Sequence, residues 1–380
     1  MRIARVEAWK CVFELPEPFP LGNLMVSHRD YVVVRIVTED GTEGVAFGLS
    51  RGAPVDMVVT ELLAPKLVGL DILGTAALAQ TLAIRLPQHA FEGLVLRAIS
   101  LVDIAVWDIK GKVAGKPVWH LLGGGEPRVA PILLVEGYHL AGEDDEGFAT
   151  RLGKRAAEGY RALKIEASTT DREALSRRLE ATRRAVGQQT ELMIDLAYGW
   201  VGHDGAAVPA GWVESKVTWA EDPLHGSDLE GLQKIHDALN VPLAAGDEVT
   251  NPRALLALIQ AGVVDVIRID ITCVGGISGF AELHQAATGA GVRISTHVYP
   301  ELHQHVVLGY PDSGPVEMFP DNGGLWDATG QFASPVSVRR DSTGAMVVEA
   351  PTAPGLGLTI DWPAVEFSAI RHNVITAAEG

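Results

Sequence analysis

The sequence predicts an α/β fold, a TIM-type (modified β/α) barrel preceded by a smaller α+β module. Six polar residues close successive apolar runs at intervals of about 20 to 27 residues, close to the roughly 30 residues of one βαβ unit. The chain has 380 residues, which exceeds the roughly 250 of a typical barrel. The six residues that close the runs are Asp195, Glu221, Asp247, Asp270, His297 and Glu317.

Composition narrows the functional classes. Hydrophobic residues make up 47% of the chain and charged residues 21%, as in a globular protein with an ample core. The net charge of −17 argues against a nucleic acid or an anionic membrane as partner. Cys11 and Cys273 match no ligand or redox spacing, and no run approaches the roughly 20 apolar residues that span a bilayer. We therefore expect a cytoplasmic protein that binds a small molecule.

Residues 1–125 are predicted to form the α+β module. Met1–Phe13 and Asp30–Phe47 are strand-like, and the second segment turns at Asp40-Gly41, a favoured hairpin pair. Val55–Ala83 and Gly93–Val113 have helical periodicity. The glycines at 123–125 mark the boundary, so the predicted domains are residues 1–125, 126–355 and a tail, 356–380, that packs back on the first.

Beyond the boundary, strands and helices alternate. Four helical stretches are Arg172–Val186, Asp228–Ala238, Pro252–Ala261 and Ile277–Ala290. Eight strands are enough to close a barrel. The strand-like runs are Val129–Val135, Ala162–Ile165, Leu192–Ile194, Val217–Ala220, Pro242–Ala245, Val264–Ile269, Val292–Ser295 and Pro315–Val316.

Asp195, Glu221 and Asp247 would project from the C-terminal rim of adjacent strands. A lone acid at a strand end is usually the N-cap of the next helix, but three in register predict a cage for Mg²⁺. Glu248 leaves the third ligand ambiguous, because successive strand residues face opposite ways. The 26-residue step favours Asp247.

An acid–base group is expected beside the metal. Asp270 and His297 end neighbouring strands, so the carboxylate can fix the imidazole as a general base, although such a pair can also be structural. Lys164 and Glu166 share one face of the second strand, where the lysine can bind a substrate carboxylate or stabilise developing charge. Glu317 is a candidate hydrogen-bond donor or substrate ligand, or only a cap.

These motifs resemble the enolase superfamily, in its mandelate racemase/muconate-lactonising group, over nearly the whole chain. The segment at residues 103–124, DIAVWDIKGKVAGKPVWHLLGG, resembles the helix and linker of that group. Asp195, the Glu-Asp-Pro run at 221–223 and Ala-Gly-Asp-Glu at 245–248 match its metal positions. IRIDITCVGGISG (267–279) and STHVYPEL (295–302) match the segments that carry the Asp–His pair.

The resemblance implies that residues 1–125 cap the barrel and select the substrate. The implied specificity residues lie in a first loop, with Arg51 in a second. The alternative for His28 and Arg51 is that they are only solvent-exposed loop residues. A homo-oligomer is also implied. The first-loop residues are Leu21, Leu24, Met25 and His28.

Two positions depart from the family pattern. Lys164-Ile165-Glu166 replaces the usual Lys-x-Lys, whose second lysine is the usual second base, and Asp195-x-Ala197 replaces Asp-x-Asn. A proton transfer between two bases is therefore disfavoured.

The leading hypothesis is a Mg²⁺-dependent lyase that dehydrates a hydroxy-carboxylate or acid sugar. His297 would remove the α-proton, and Lys164 and the metal would stabilise the enolate. The first alternative is a racemase or epimerase in which Glu166 is the second base. The second alternative is a non-catalytic barrel retained as a binding protein.

Overall fold

Three antiparallel strands begin the chain in the computed structural model, which describes residues 1–21, 24–72, 78–89, 92–126, 128–167, 171–199, 210–310, 312–320 and 326–376. They are β1 (Ile3–Leu21), β2 (Leu24–Thr38) and β3 (Glu43–Leu49). The predicted turn at Asp40-Gly41 is present, and Gly41 has a φ of +84°. Glycine adopts this left-handed conformation readily, which favours a tight turn here.

The first predicted specificity loop is the end of a long hairpin instead. β1 and β2 remain paired beyond the irregularity after Glu14, with Phe19 opposite Val26 and Pro20 opposite Met25. Phe19 is buried and its ring centroid lies 4.4 Å from that of Tyr138 in the barrel. This packing against the barrel extends the hairpin over a stretch whose prolines disfavour a strand.

The helical run predicted over Val55–Ala83 is interrupted. A continuous helical segment begins as α1 (Val55–Met57), continues as a π-helix over Val58–Leu63 and ends as α2 (Ala64–Leu67). Pro65 lacks the N–H that would bond back one turn, which accounts for the wider turn before it. Gly69 and Leu70 then bond to the backbone of Ile3, and helix resumes at α3 (Leu78–Arg85).

Helix α4 (Gly93–Ala114) joins the module to the barrel, and the short α5 (Val118–Leu121) follows it. Asp103, buried in the middle of α4, accepts hydrogen bonds from the backbone N–H and the hydroxyl of Ser278 at 3.0 and 2.7 Å. On the other face, a Cβ at Gly44 of β3 would lie 2.0 Å from the Ala105 carbonyl oxygen. Glycine at position 44 therefore lets the sheet approach α4 closely.

Eight parallel strands form the barrel, and all eight predicted runs are present with ends shifted by at most two residues. The order around the ring is β11-β4-β5-β6-β7-β8-β9-β10. The Thr296 hydroxyl donates to the Pro315 carbonyl at 3.2 Å where β10 meets β11. The strands are β4 (Val129–Gly137), β5 (Ala162–Glu166), β6 (Glu191–Asp195), β7 (Val217–Glu221), β8 (Leu243–Ala245), β9 (Val266–Ile269), β10 (Arg293–Thr296) and β11 (Val316–Met318).

Strand alternation places the polar residues inside the barrel. One buried apolar layer consists of Leu133, Ala162, Met193, Trp219, Ala244 and Val266. Two residues further along four of these strands, on the same face, stand Lys164, Asp195, Glu221 and Arg268. The barrel is therefore filled by an apolar layer below and a charged layer at the C-terminal ends of the strands.

Helices cover the outside of the barrel. Asp144, Asp171, Asp228 and Asn251 each accept backbone N–H groups at a helix N-terminus, which satisfies donors that have no partner within the helix. Among the described helices, none is long and apolar enough to cross a membrane. The outer helices are α6 (Asp145–Ala157), α7 (Arg172–Val186), α8 (Ala210–Glu214), α9 (Leu229–Ala238), α10 (Pro252–Ala261), α11 (Gly276–Ala290) and α12 (Pro300–Gly309).

The C-terminal segment returns to the N-terminal sheet. After a 3₁₀ turn (Thr329–Gln331), the hairpin of β12 (Val338–Arg340) and β13 (Met346–Glu349) pairs with β4. Helix α13 (Trp362–Ser368) leads into β14 (Ala369–Thr376). β14 pairs antiparallel with β1, which gives a four-stranded sheet of order β14-β1-β2-β3.

Candidate active site

Asp195, Glu221 and Asp247 come together at the C-terminal rim of the barrel. One carboxylate oxygen from each lies within 4.8 Å of the others, and all three residues are buried. Asp195 and Glu221 are the last residues of β6 and β7, while Asp247 follows β8 after Gly246. Gly246 has a φ of +135°, and a Cβ there would lie 2.4 Å from the Arg268 carbonyl oxygen, so only glycine brings Asp247 this close.

Lys164 pairs with the same carboxylates. Its Nζ lies 2.7 Å from a Glu221 oxygen and 3.1 Å from both Asp195 and Glu317. Burial lowers the pKa of Lys164, but Glu221, Glu317 and Asp195 together raise it well above the usual value. The lysine is therefore a fixed positive charge, suited to holding a substrate carboxylate or the charge that develops on it.

Arg268 is a second buried cation in this layer, and it was not among the site residues predicted from the sequence. Its Nε lies 3.0 Å from Asp247 and 3.2 Å from Glu221, and its Nη2 pairs with Glu317. The signal available was a charged residue inside the apolar run VIRID, two positions before Asp270 and so on the same face.

The donor set fits Mg²⁺. Five carboxyl groups surround the two cations, and a divalent ion would stabilise the ionised forms of Asp195 and Asp247, whose pKa values burial raises. Burial opposes ionisation of Glu221, yet Arg268 and Lys164 hold its pKa at about 2, so it is ready as an anionic oxygen ligand. The five carboxyl residues are Glu166, Asp195, Glu221, Asp247 and Glu317.

Glu248 is directed away from the carboxylate cluster. It pairs with Arg51 and, at 2.9 Å, with Arg97 of α4, and these two cations bring its pKa well below the usual value against the effect of burial. Its partners are two arginines of the N-terminal module. Asp247 is therefore the better placed third ligand, and Glu248 joins the module to the barrel.

Asp270 and His297 form the expected pair. His297 Nδ1 lies 3.2 Å from an Asp270 oxygen, and the other Asp270 oxygen accepts the Thr272 N–H and hydroxyl at 2.7 Å. Burial lowers the pKa of His297, but Asp247 and Asp270 raise it to about 9. With Nδ1 donating to Asp270, Nε2 is the nitrogen that exchanges a proton with a bound molecule, as an acid when the ring is charged and as a base when it is neutral.

Glu317 acts as an ion-pair partner. Burial opposes its ionisation, but Arg268 and Lys164 lower its pKa, and it also accepts the Val298 N–H at 3.2 Å. An ionised carboxylate with these partners holds the two cations in place. This arrangement disfavours the protonated, hydrogen-bond-donating form considered for Glu317.

Glu166 lies beside Asp195 in the β5–β6 register and lines the cavity. Its Oε1 is 3.8 Å from Lys164 Nζ, and among the described residues its buried Oε2 has no hydrogen-bond partner. Burial and the neighbouring Asp195 raise its pKa well above the usual value. Position 166 therefore presents a carboxyl group to the cavity, in place of the lysine that the family resemblance implies there.

A cavity of about 90 Å³ opens above these groups. Arg51 lines it as expected, but His28 is half exposed, lies 3.4 Å from Asp30 and is not among the described lining residues. Alternation along β2 brings Arg29 and Tyr31 to the cavity instead. Met25 is exposed, and the side chains of Leu21 and Leu24 lie outside the described residues.

Several loops at the rim have unusual backbone conformations. In the described loops that follow barrel strands, six non-glycine residues have φ between +40° and +59°, a region that costs such residues free energy and that clusters at functional sites. Two neighbouring side chains support this arrangement: Asp222 accepts the N–H of Gly246 and Asp247, and Tyr198 donates to the Asp247 carbonyl. The six residues are Ala197, Tyr198, Asp222, Glu248, Val298 and Tyr299.

Eight parallel strands that present clustered carboxylates and an Asp–His pair at their C-terminal ends define a barrel enzyme of the metal-dependent class. Residues 6–123 match the family model of the mandelate racemase/muconate lactonizing enzyme N-terminal domain, and residues 147–365 match the enolase C-terminal domain-like model. The chain belongs to the mandelate racemase/muconate-lactonising group of the enolase superfamily, as its motifs indicated.

Similar proteins include enzymes of more than one reaction type. A D-galactarolactone cycloisomerase of Agrobacterium fabrum is 28% identical, over 95% of this chain and 97% of its own. An L-talarate/galactarate dehydratase of Salmonella typhimurium is 29% identical, over 74% and 70%. The structure of L-talarate dehydratase from Polaromonas sp. JS666, complexed with Mg and L-glucarate, superimposes with a TM-score of 0.85 at 23% identity, over 99% and 100%.

Proposed function

We propose that the protein is a Mg²⁺-dependent dehydratase of an acid sugar or related hydroxy-carboxylate. The observation that carries this proposal is one imidazole, His297, fixed by Asp270 beside a buried Asp–Glu–Asp cluster. A relative of this family named for dehydratase activity supports the reaction type. The carboxyl group at position 166 supports it further, because a lysine as second base is absent there.

Asp195, Glu221 and Asp247 would hold Mg²⁺, which when bound supplies positive charge to the substrate carboxylate as that group gains electron density. Lys164 adds a second fixed positive charge at the same end of the cavity. Arg268 orients Asp247 and Glu221. This concentration of positive charge would lower the pKa of the α-proton, on the carbon next to the carboxylate.

The proposed proton path uses His297. Its Nε2 takes the α-proton, and the C–H electron pair moves into the carboxylate to give an enediolate. The pair then returns to form the α–β double bond as the β-carbon–oxygen bond breaks, and the hydroxyl leaves as water after receiving a proton from His297 or another cavity group. Tautomerisation of the enol gives a 2-keto-3-deoxy acid.

Incubation of a panel of sugar acids with Mg²⁺ in D₂O tests this function. We expect a keto-deoxy acid product, and His297→Asn should lower turnover by about 10² to 10⁴-fold, the usual effect of losing a general base. His89→Asn, at an exposed position of the N-terminal module, is the matched control. Absence of both α-proton exchange and elimination across the panel would contradict the proposal.

A racemase or epimerase is the alternative that a specific observation favours. Glu166 and His297 both line the cavity, from β5 and from the end of β10, with β11 and β4 between them in the ring. Two bases so placed can act on opposite faces of a carbon. Incubating one enantiomer in D₂O distinguishes the two functions, because inversion with deuterium uptake that Glu166→Gln abolishes indicates a racemase.

The remaining expectations are proposals of the same kind. A homo-oligomer is supported by β14, an edge strand of the N-terminal sheet that exposes Ile370 and Val374 next to Phe367. Light scattering after size exclusion would measure the mass, and a monomer at micromolar concentration would contradict the proposed homo-oligomer.

The free, buried Cys11 and Cys273 support a cytoplasmic location. The division at residues 125 and 355 is testable by limited proteolysis.

A further inference from the structure

Among the residues that the structure describes, Arg29 is a buried cation without an anionic partner. The residue is 4% exposed, and its Nε and Nη2 both donate to the Trp326 carbonyl at 2.9 and 2.8 Å. Within the described part of the chain it makes no ion pair, and its Nη1 makes no hydrogen bond. A buried guanidinium without an anion is costly, so an anion is expected to neutralise it in the working enzyme.

Arg29 differs in this respect from the other lysine and arginine side chains that line the cavity. Lys164 pairs with several carboxylates, and Arg51 pairs with Glu248. Asp327 also lines the cavity, but its oxygens accept the hydroxyls of Tyr31 and Thr329. Of these lining cations in the described residues, Arg29 alone is left for a ligand.

Tyr138 provides a second unused group in the same cavity. It is 5% exposed, and its hydroxyl has no hydrogen-bond partner among the described residues. Burial and Glu166 raise the pKa of Tyr138, while Arg29 and Lys164 act in the opposite direction. The hydroxyl is therefore within electrostatic reach of Arg29 and of the reaction centre.

The surroundings keep both groups in place. The Arg29 guanidinium lies 5.3 Å from the centroid of the Phe19 ring, and the Tyr138 ring packs against Phe19 and Trp326. These apolar contacts exclude water on one side, which strengthens a charge-assisted hydrogen bond on the other.

We propose that the substrate is a dicarboxylate whose second carboxylate is bound by Arg29 Nη1 and the Tyr138 hydroxyl. This inference rests on the proposed function, because the first carboxylate lies at the Lys164 and metal end. Two donors that line the same cavity and pack on the same Phe19 ring suit the two oxygens of one carboxylate. A neutral hydroxymethyl group at that end would leave the guanidinium without a counter-charge.

Matched pairs of sugar acids test the subsite. Galactarate and galactonate, or glucarate and gluconate, share a carbon skeleton and differ at the end remote from the reacting carboxylate. We expect kcat/KM to be at least about tenfold higher for the diacid, and Arg29→Gln to remove that preference while changing the monoacid value less than about threefold. Tyr138→Phe should reduce the preference, whereas Tyr31→Phe, whose hydroxyl already donates to Asp327, should change both acids by the same factor.

Calorimetric titration of the same acids in the presence of Mg²⁺ measures binding without turnover. It therefore tests the carboxylate subsite independently of the proposed dehydratase reaction. Diacid binding that Arg29→Gln weakens, without turnover, would retain the subsite and reject the dehydratase. Turnover of monoacids with no effect of Arg29→Gln would retain the dehydratase and reject the subsite. Failure of every diacid to bind, or a preference for an aldonate phosphorylated at the remote end, would overturn the dicarboxylate assignment. Circular dichroism of each variant checks that it is folded.

Discussion

Individual residues at the centre of the barrel act as partners of more than one group. Arg268 contacts Asp247, Glu221, Glu317 and the Ser295 hydroxyl, and every one of these side chains is buried. Removing one member of a buried charge network leaves the others unpaired, which costs more free energy than the pair contributes when complete. Arg268 therefore positions two candidate metal ligands and also stabilises the fold.

The substitution Arg268→Met tests this dual role. Without Mg²⁺ the variant should lose about 3 kcal/mol of unfolding free energy, because buried carboxylates lose their counter-charge. Arg268→Lys keeps a positive charge and should lose less. Urea unfolding in EDTA measures both values. An Arg268→Met variant as stable as the wild type would show that Lys164 alone neutralises the cluster.

At the scale of elements, helix α12 connects several parts of the chain through two neutral histidines. His303 donates from Nδ1 to the Val298 carbonyl and accepts the Ile271 N–H at Nε2. His305 accepts the Trp119 N–H at Nδ1 and its Nε2 lies 3.1 Å from the Leu356 carbonyl. Burial lowers the pKa of each to about 4, so both rings remain neutral and bridge two backbone groups.

His305 predicts a pH dependence of stability. Its pKa falls from 6.5 to about 4 on folding, so the unfolded chain binds more protons between these values and stability declines as pH falls from about 6.5 towards 4. The decline due to His305 is about 3 kcal/mol. His305→Gln should flatten the slope of unfolding free energy against pH by about one proton. An unchanged slope in urea unfolding from pH 7 to pH 4.5 would contradict this.

In the whole molecule, the N-terminal module and the barrel meet next to the cluster of carboxylates proposed to bind Mg²⁺. Arg51 and Arg97 of the module hold Glu248, which follows directly after Asp247. The proposed metal ligand, Asp247, and the residue that joins the two parts of the chain, Glu248, are therefore neighbours in sequence with different partners.

The effect of Mg²⁺ on stability distinguishes Asp247, the proposed metal ligand, from Glu248, which pairs with the arginines of the N-terminal module. Mg²⁺ at one hundred times its dissociation constant should stabilise the wild type by about 2.7 kcal/mol, and EDTA should remove that gain. Asp247→Asn should abolish the gain, whereas Glu248→Gln should lower stability with and without Mg²⁺ and leave the gain intact. Thermal unfolding monitored by circular dichroism measures all three proteins. Loss of the gain in Glu248→Gln would identify Glu248 as the ligand.

The barrel and most of its charged rim follow from local patterns. Period-two alternation and the regular recurrence of βα units are properties of short segments, so Asp195, Glu221, Asp270 and His297 are recognisable without a structure. Arg29 and Tyr138 are different, because their meeting depends on how a distant hairpin packs on β4. The same packing places Leu24, Met25 and His28 of the expected first loop in paired strand, and no local periodicity encodes it.

The pairing of β14 with β1 has a consequence for biosynthesis. Residues 369–376 are translated only after the barrel, so the sheet whose strands β1–β3 precede the barrel is completed only after it. Until then β1 exposes an unpaired edge, and such edges invite aggregation. A chaperone that shields β1 during translation would therefore raise the yield of native protein more than one that acts on the completed chain.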